Sequence, residues 1–217
     1  MNGHLTVVQW LHFYHVKGCT TDAMDLAAEN GHLGMVQWLH LNRKEGCTKK
    51  AMNQSAKNGH LGMVQWLHFN RTEGCTTNAM DLAAENGHLD IVKWLHFNRT
   101  EGCTVYAIDS AVANGYLDMV QWFHFNRTER CTDCAIYQAA RKGHLEVIKF
   151  LCLHNNINAE TLTNAMEWAA YFGHLDVVQW LHYKYECEYT NCAINLAMEN
   201  GHLKIVTWFH DITNKNY

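Results

Sequence analysis

Proline is absent from all 217 residues, against about 5% of an average chain. A chain without it is expected to be helical, with turns made by other residues. Long apolar runs are missing too: no stretch approaches the roughly 18 consecutive apolar residues that a membrane-spanning helix needs. Met1 is followed by Asn2-Gly3-His4, without the basic and then apolar segments of a secretory leader. There is no excess of positive charge, because 17 Lys and Arg face 21 Asp and Glu, for a net charge of -4. That balance argues against nucleic-acid binding through a basic face, and no membrane association is expected. What is abundant is apolar: 48% of residues are hydrophobic and the mean hydropathy is -0.28. That is the composition of a folded chain, not a disordered one.

The dominant feature is a repeat. Gly-His-Leu or a near copy begins at Gly3, Gly31, Gly59, Gly87, Gly115, Gly143, Gly173 and Gly201. The step is 28 residues, except for 30 between Gly143 and Gly173. Residues 1–217 are therefore read as one repeat array of about 7.5 units with the first unit half present, and not as two globular domains. Each unit reads as two short helices. Ala79, Met80, Ala83 and Ala84 share one face of a first helix, and Gly87 ends it in the manner of a left-handed cap. Leu89, Ile91, Val92 and Leu95 mark the apolar side of a second helix. A loop such as Asn98–Thr104 leads to the next unit. Thr104 and its equivalents Thr20, Thr48, Thr76, Thr132 and Thr190 stand where an N-terminal cap is wanted.

The segment Ala27-Ala28-Glu29-Asn30-Gly31-His32-Leu33-Gly34-Met35-Val36, echoed at residues 169–178, resembles the ankyrin repeat family. The departures are a period shorter than the usual ~33 residues, Asp22-Ala23-Met24-Asp25 in place of Thr-Pro-Leu-His, and a loop before Ala107 about five residues short of the family's length. The resemblance implies an all-α fold: an ankyrin-like α-solenoid of stacked helix-turn-helix repeats, with short loops and reduced or absent β-turns. The short units are similar in style to ankyrin-type arrays of protists, amoebae and filamentous plant pathogens.

Residues that suggest chemistry are periodic. Cys19, Cys47, Cys75, Cys103 and Cys131 share one repeat position, and stacked helices at roughly 8–10 Å hold such positions too far apart for disulfides. They read as compact core residues of a reducing, cytoplasmic compartment. Cys131-Thr132-Asp133-Cys134 has no second pair to complete a zinc site. Most of the 16 histidines follow the repeat glycine or the Trp-Leu pair. Those two places lie about 12 Å apart along one helix, too far to share a metal. Tryptophans from Trp10 to Trp208, with Phe150 in one place, form a packing ladder. The glycosylation-like triplets starting at Asn53, Asn70, Asn98 and Asn126 read as polar helix ends. No phosphate loop or nucleophile–base pair is present, so the chain is expected to be no enzyme, with no cofactor and no metal.

Function is expected where the repeat varies. The exposed face of each first helix is assigned to the positions six, five, two and one before the glycine. Position minus five changes from Leu26 and Gln54 to Trp168, and position minus two from Glu29 and Lys57 to Arg141 and Tyr171, while minus eight is always Ala. Tyr137, Arg141, Lys142, Trp168, Tyr171 and Phe172 gather the residue types enriched at binding hot spots, and they are the expected protein-binding site. The competing reading is local packing around the two-residue insertion within 155–163. The resulting expectation is a monomeric, non-catalytic scaffold that binds a partner protein on its concave face. The resemblance in repeat style suggests an effector delivered into a host cell against a signalling protein such as a kinase. The alternatives are a substrate adaptor of a ubiquitin ligase, or a structural spacer within a longer repeat protein.

Overall fold

In the computed structural model, the described residues are 4–14, 19–185 and 190–215; Gly3 lies outside them. They form helices joined by short loops, with no strand. Contacts group the chain into two compact units, Met1–Ala107 and Ile108–Tyr217. The first contains α1 (Leu5–Phe13), α2 (Thr21–Glu29), α3 (Leu33–Asn42), α4 (Lys49–Lys57), α5 (Leu61–Asn70), α6 (Asn78–Glu85) and α7 (Leu89–Asn98). The division falls within α8 (Val105–Ala113). The second unit continues with α9 (Leu117–Asn126), α10 (Asp133–Arg141), α11 (Leu145–His154), α12 (Ala159–Phe172), α13 (Leu175–Tyr185), α14 (Asn191–Glu199) and α15 (Leu203–Lys215). In each unit the first helices of successive repeats pack most closely, as α2 on α4 and α4 on α6, or α10 on α12 and α12 on α14. The invariant alanine allows this: Ala51, Ala79, Ala135, Ala165 and Ala193 are all buried, and a methyl group keeps the axes close. Met80, Ala83, Ala84, Ile91, Val92 and Leu95 are buried as their spacing predicts.

The threonine caps form, and they also carry a second task. Thr48 Oγ1 accepts from Lys50 N–H at 3.1 Å, capping α4. The same residue donates its backbone N–H to Asp25 Oδ1 at 2.7 Å and its hydroxyl to Asp25 Oδ2 at 2.6 Å. One carboxylate on a first helix thus braces the start of the next. Asp81 holds Thr104 in the same way at 2.8 and 2.9 Å, and in the second unit Asp109 holds Thr132 at 2.8 Å twice. Asn53 substitutes at 3.0 Å to Thr76 N–H. Charge-assisted bonds of this kind are stronger than neutral ones, and Asp25 and Asp81 are only 5% exposed. Position minus six is therefore not part of the exposed face in these repeats, which corrects the sequence expectation. Thr132 makes the brace without a side-chain cap bond.

The shortened loop is a tight connection closed by an Arg–Glu pair. Arg71 and Glu73 form an ion pair, as do Arg99 and Glu101, while Arg43–Glu45 spans 2.6 Å and Arg127–Glu129 2.5 Å. The guanidinium of Arg71 also lies over the preceding loop, where Gly46 has φ +73° and a Cβ would meet Arg71 Nη2 at 2.6 Å. Only glycine fits both conditions. His60, His88, His144, His174 and His202, each following a repeat glycine, pack on the repeat glycine of the unit before: a Cβ on Gly59 would meet His88 Cε1 at 2.7 Å. The histidine after Trp-Leu meets the next tryptophan edge-on, His40 and Trp66 at 5.3 Å and His68 and Trp94 at 5.1 Å. Asn70, Asn98 and Asn126 donate to the carbonyls of Trp66, Trp94 and Trp122 at 2.8 Å, as helix-end residues. Asn53 is the exception, a buried mid-helix residue. Cys47 and Cys75 are buried thiols, and burial raises both to about 11.

Candidate functional site

In the second unit the apolar variation on the first helices becomes a cleft. Its opening stage is the insertion, which lengthens α12 to 14 residues. The helix is capped at Asn158, whose Oδ1 accepts from Thr161 N–H at 2.7 Å, and the added turn buries Thr161 and Leu162. The insertion sits at the N-terminal end of α12, whereas Trp168, Tyr171 and Phe172 occupy its last turns. The aromatic residues pack on each other: the Trp168 and Phe172 rings lie nearly parallel (14°) at 6.0 Å, and Tyr171 meets Phe172 at 4.7 Å.

A cleft of about 530 Å³ is lined by Arg141, Glu167, Trp168, Tyr171, Phe172 and Leu196. Arg141 at the end of α10 places its guanidinium 4.8 Å from the centre of the Phe172 ring, a cation–π arrangement. Among the described residues it enters no ion pair, unlike Arg43, Arg71, Arg99 and Arg127. Glu167 accepts from the Thr190 hydroxyl at 2.6 Å, so it keeps the brace while one side lines the cleft. The cleft is held from below by the repeat histidines. His174 Nε2 donates to the Arg141 carbonyl, and His202 Nε2 to the Tyr171 carbonyl, both at 2.8 Å.

Four of the six residues expected from the sequence thus come together: Arg141, Trp168, Tyr171 and Phe172. Two do not line the cleft. The Tyr137 hydroxyl accepts from the Asn164 amide at 3.4 Å, occupying the place where other repeats carry the bracing carboxylate. Lys142 Nζ donates to Asn114 Oδ1 at 2.9 Å. Glu167 and Leu196 were not singled out; both stand at the variable register positions minus six and minus five, which is the signal that finds them. Among the described residues no three His, Cys, Asp or Glu side chains gather as a metal site. Cys131 is a free thiol raised to about 11 by burial and nearby Asp109.

The model of ankyrin repeats (3 copies) matches residues 24–109 and again 108–191. A solved structure, the human ASB11 ankyrin repeat domain, superposes with a TM-score of 0.61 at 17% identity, covering 80% of this chain and 90% of that one. That likeness concerns the fold. Comparison with curated protein sequences gives no match.

Proposed function

The chain belongs to the ankyrin repeat family, and from that premise we propose that it is a non-catalytic scaffold whose partner protein docks on the cleft of residues 141–196. Ankyrin repeats are in general protein–protein interaction scaffolds. The observation that carries the reading is the convergence of Arg141, Trp168, Tyr171 and Phe172, with Leu196, on one cleft whose backbone is fixed by histidine bonds from the following repeats. A preformed cleft limits the ordering cost of binding, and Trp, Tyr and Arg are the residue types that dominate interface energy. Rows of first helices form the concave docking side of such solenoids. The 28-residue period running through both units supports treating residues 1–217 as one array. Buried, protonated thiols at Cys47 and Cys75 support a reducing, cytoplasmic compartment. The short period, similar to arrays of amoebae and plant pathogens, supports an effector directed at a host signalling protein. A spacer role is favoured for residues 22–115 by their near identity.

The test is affinity capture from an extract of cells that express the protein, with wild type beside Trp168→Ala/Tyr171→Ala. Both side chains lie at or near the surface, so the variant is expected to fold and to melt close to wild type. A protein retained by wild type and lost from the variant is the expected result. Equal retention by two folded proteins removes the cleft as the binding site.

A further inference from the structure

The second helices carry a regular feature on their outer side. In the first unit the residues three, six and ten after the repeat glycine form a row at i, i+3 and i+7 on one helical face, exposed except at the half-buried Gln65. In α1 the row reads Thr6, Gln9 and Phe13; in α3 Gly34, Gln37 and Leu41; in α5 Gly62, Gln65 and Phe69; in α7 Asp90, Lys93 and Phe97. In these four helices the last member is apolar and strongly exposed: Phe13 75%, Leu41 80%, Phe69 74% and Phe97 72%. Single exposed apolar residues are ordinary. Four at one repeat position, on successive helices of one compact unit, are a ladder.

Two further facts bear on what covers it. Helices α1, α3 and α5 hold no Asp, Glu, Lys or Arg at all. The second helices of residues 108–217 each carry charge, as at Asp118, Glu146, Lys149, Asp176, Lys184 and Lys204. Gly34 and Gly62 stand where those helices have Asp, Glu or Lys. A Cβ on either would meet nothing within 4 Å, so no steric demand inside the chain explains a glycine that costs a helix about 0.8–1 kcal/mol. The face is knobbed at its C-terminal end and uncharged on α1, α3 and α5, while on α7 Asp90 and Lys93 balance each other.

We propose that the outer face of α1, α3, α5 and α7 binds a second copy of this chain, through Phe13, Leu41, Phe69 and Phe97. Three considerations select that occupant. A face with no net charge does not repel its own image across a two-fold axis, where the same patch meets itself. A ladder with the pitch of the repeat is matched by an object of the same pitch, and the second copy has it: the knobs of one ladder enter the gaps of the other. The area suffices for a modest dimer. At about 150 Å² for each phenylalanine, and somewhat less for Leu41, the four supply on the order of 600 Å² per protomer, against roughly 800 Å² for a standard interface. A lipid surface is disfavoured, since peripheral helices that bind one pair their apolar side with Lys or Arg, which α1, α3 and α5 lack. The monomer expected from the sequence takes no account of this ladder.

Sedimentation velocity of the full chain over a concentration series tests the proposal. The expected mass rises from 25.0 kDa toward twice that value. Leu41→Asp/Phe69→Asp should stay at the monomer mass, its dissociation constant raised by at least about a hundredfold, because the contact would bury unpaired carboxylates. Both positions are exposed, so its thermal melt should match wild type. Leu153→Asp, at the same repeat position on the charged α11, should dimerise like wild type. Wild type that remains monomeric up to its solubility limit overturns the proposal, as does a Leu41→Asp/Phe69→Asp variant that dimerises normally. So does a monomeric wild type that floats with phosphatidylcholine vesicles, which would assign the ladder to a membrane.

Discussion

Residues 1–107 and 108–217 are built from the same repeat but depart from it on different helices. The first unit keeps its first helices plain and carries no Asp, Glu, Lys or Arg on three of its second helices, α1, α3 and α5. The second unit keeps charged second helices and loads its first helices with Trp168, Tyr171, Phe172 and Arg141. The scaffold positions, namely the alanine, the glycine with positive φ and the threonine cap, are common to both. Stability in such arrays comes from each repeat and its neighbour, so a surface can change in one repeat without altering the stack. The comparison teaches that a repeat protein can carry two distinct surfaces on one period, one on each kind of helix.

The largest expected effect concerns the brace. Asp81→Ala removes two bonds from a buried carboxylate to Thr104, and should cost about 3 kcal/mol in chemical denaturation. Glu167→Ala removes one bond from a half-buried carboxylate to Thr190 and should cost about 1 kcal/mol. Equal losses would break the distinction between a brace that only supports and one that also lines a cleft.

Acid should separate the units in a smaller but readable way. Burial, helped by Arg130 and His154, holds His124 below its ordinary value of 6.5, and burial with Lys142 nearby lowers His144. Both lie in the second unit. A histidine with a depressed folded pKa contributes stability that is present above about 6.5 and declines as pH falls below it. Glu101 behaves otherwise: the Arg99 hydrogen bond holds it at about 2, and Arg71 and backbone bonds bring Glu73 to about 2 against the upward push of burial. Their contribution is complete above about 4.5 and lost as pH falls toward 2. Hydrogen exchange should therefore show the second unit loosening first between pH 6.5 and 4.5, and the first unit below that. Uniform loosening throughout would remove this contrast.

Much of this was legible in the sequence because a repeat prints its own register. The helix pairs, their glycine ends, the threonine caps and the buried alanines follow from period and residue type. Of the cleft lining, Arg141, Trp168, Tyr171 and Phe172 were legible as departures from the pattern. Tyr137 and Lys142 stand outside the cleft lining, because spacing alone does not say which way a side chain turns. Position minus six was read as surface because the sequence does not reveal that Asp25 reaches across to Thr48, a bond between residues 23 apart. The exposed ladder escaped notice for a related reason: Phe69 looks like a core residue until the structure shows that the second helix already has its buried side filled by Met63, Val64 and Leu67.

The most direct measurement is photo-crosslinking with benzoylphenylalanine placed either at Leu196, inside the cleft, or at Phe69, on the ladder. The account predicts that the probe at position 196 joins the chain to a different protein, and that the probe at position 69 joins it to a second copy of itself. A foreign partner captured only from position 69, with none from position 196, would contradict it.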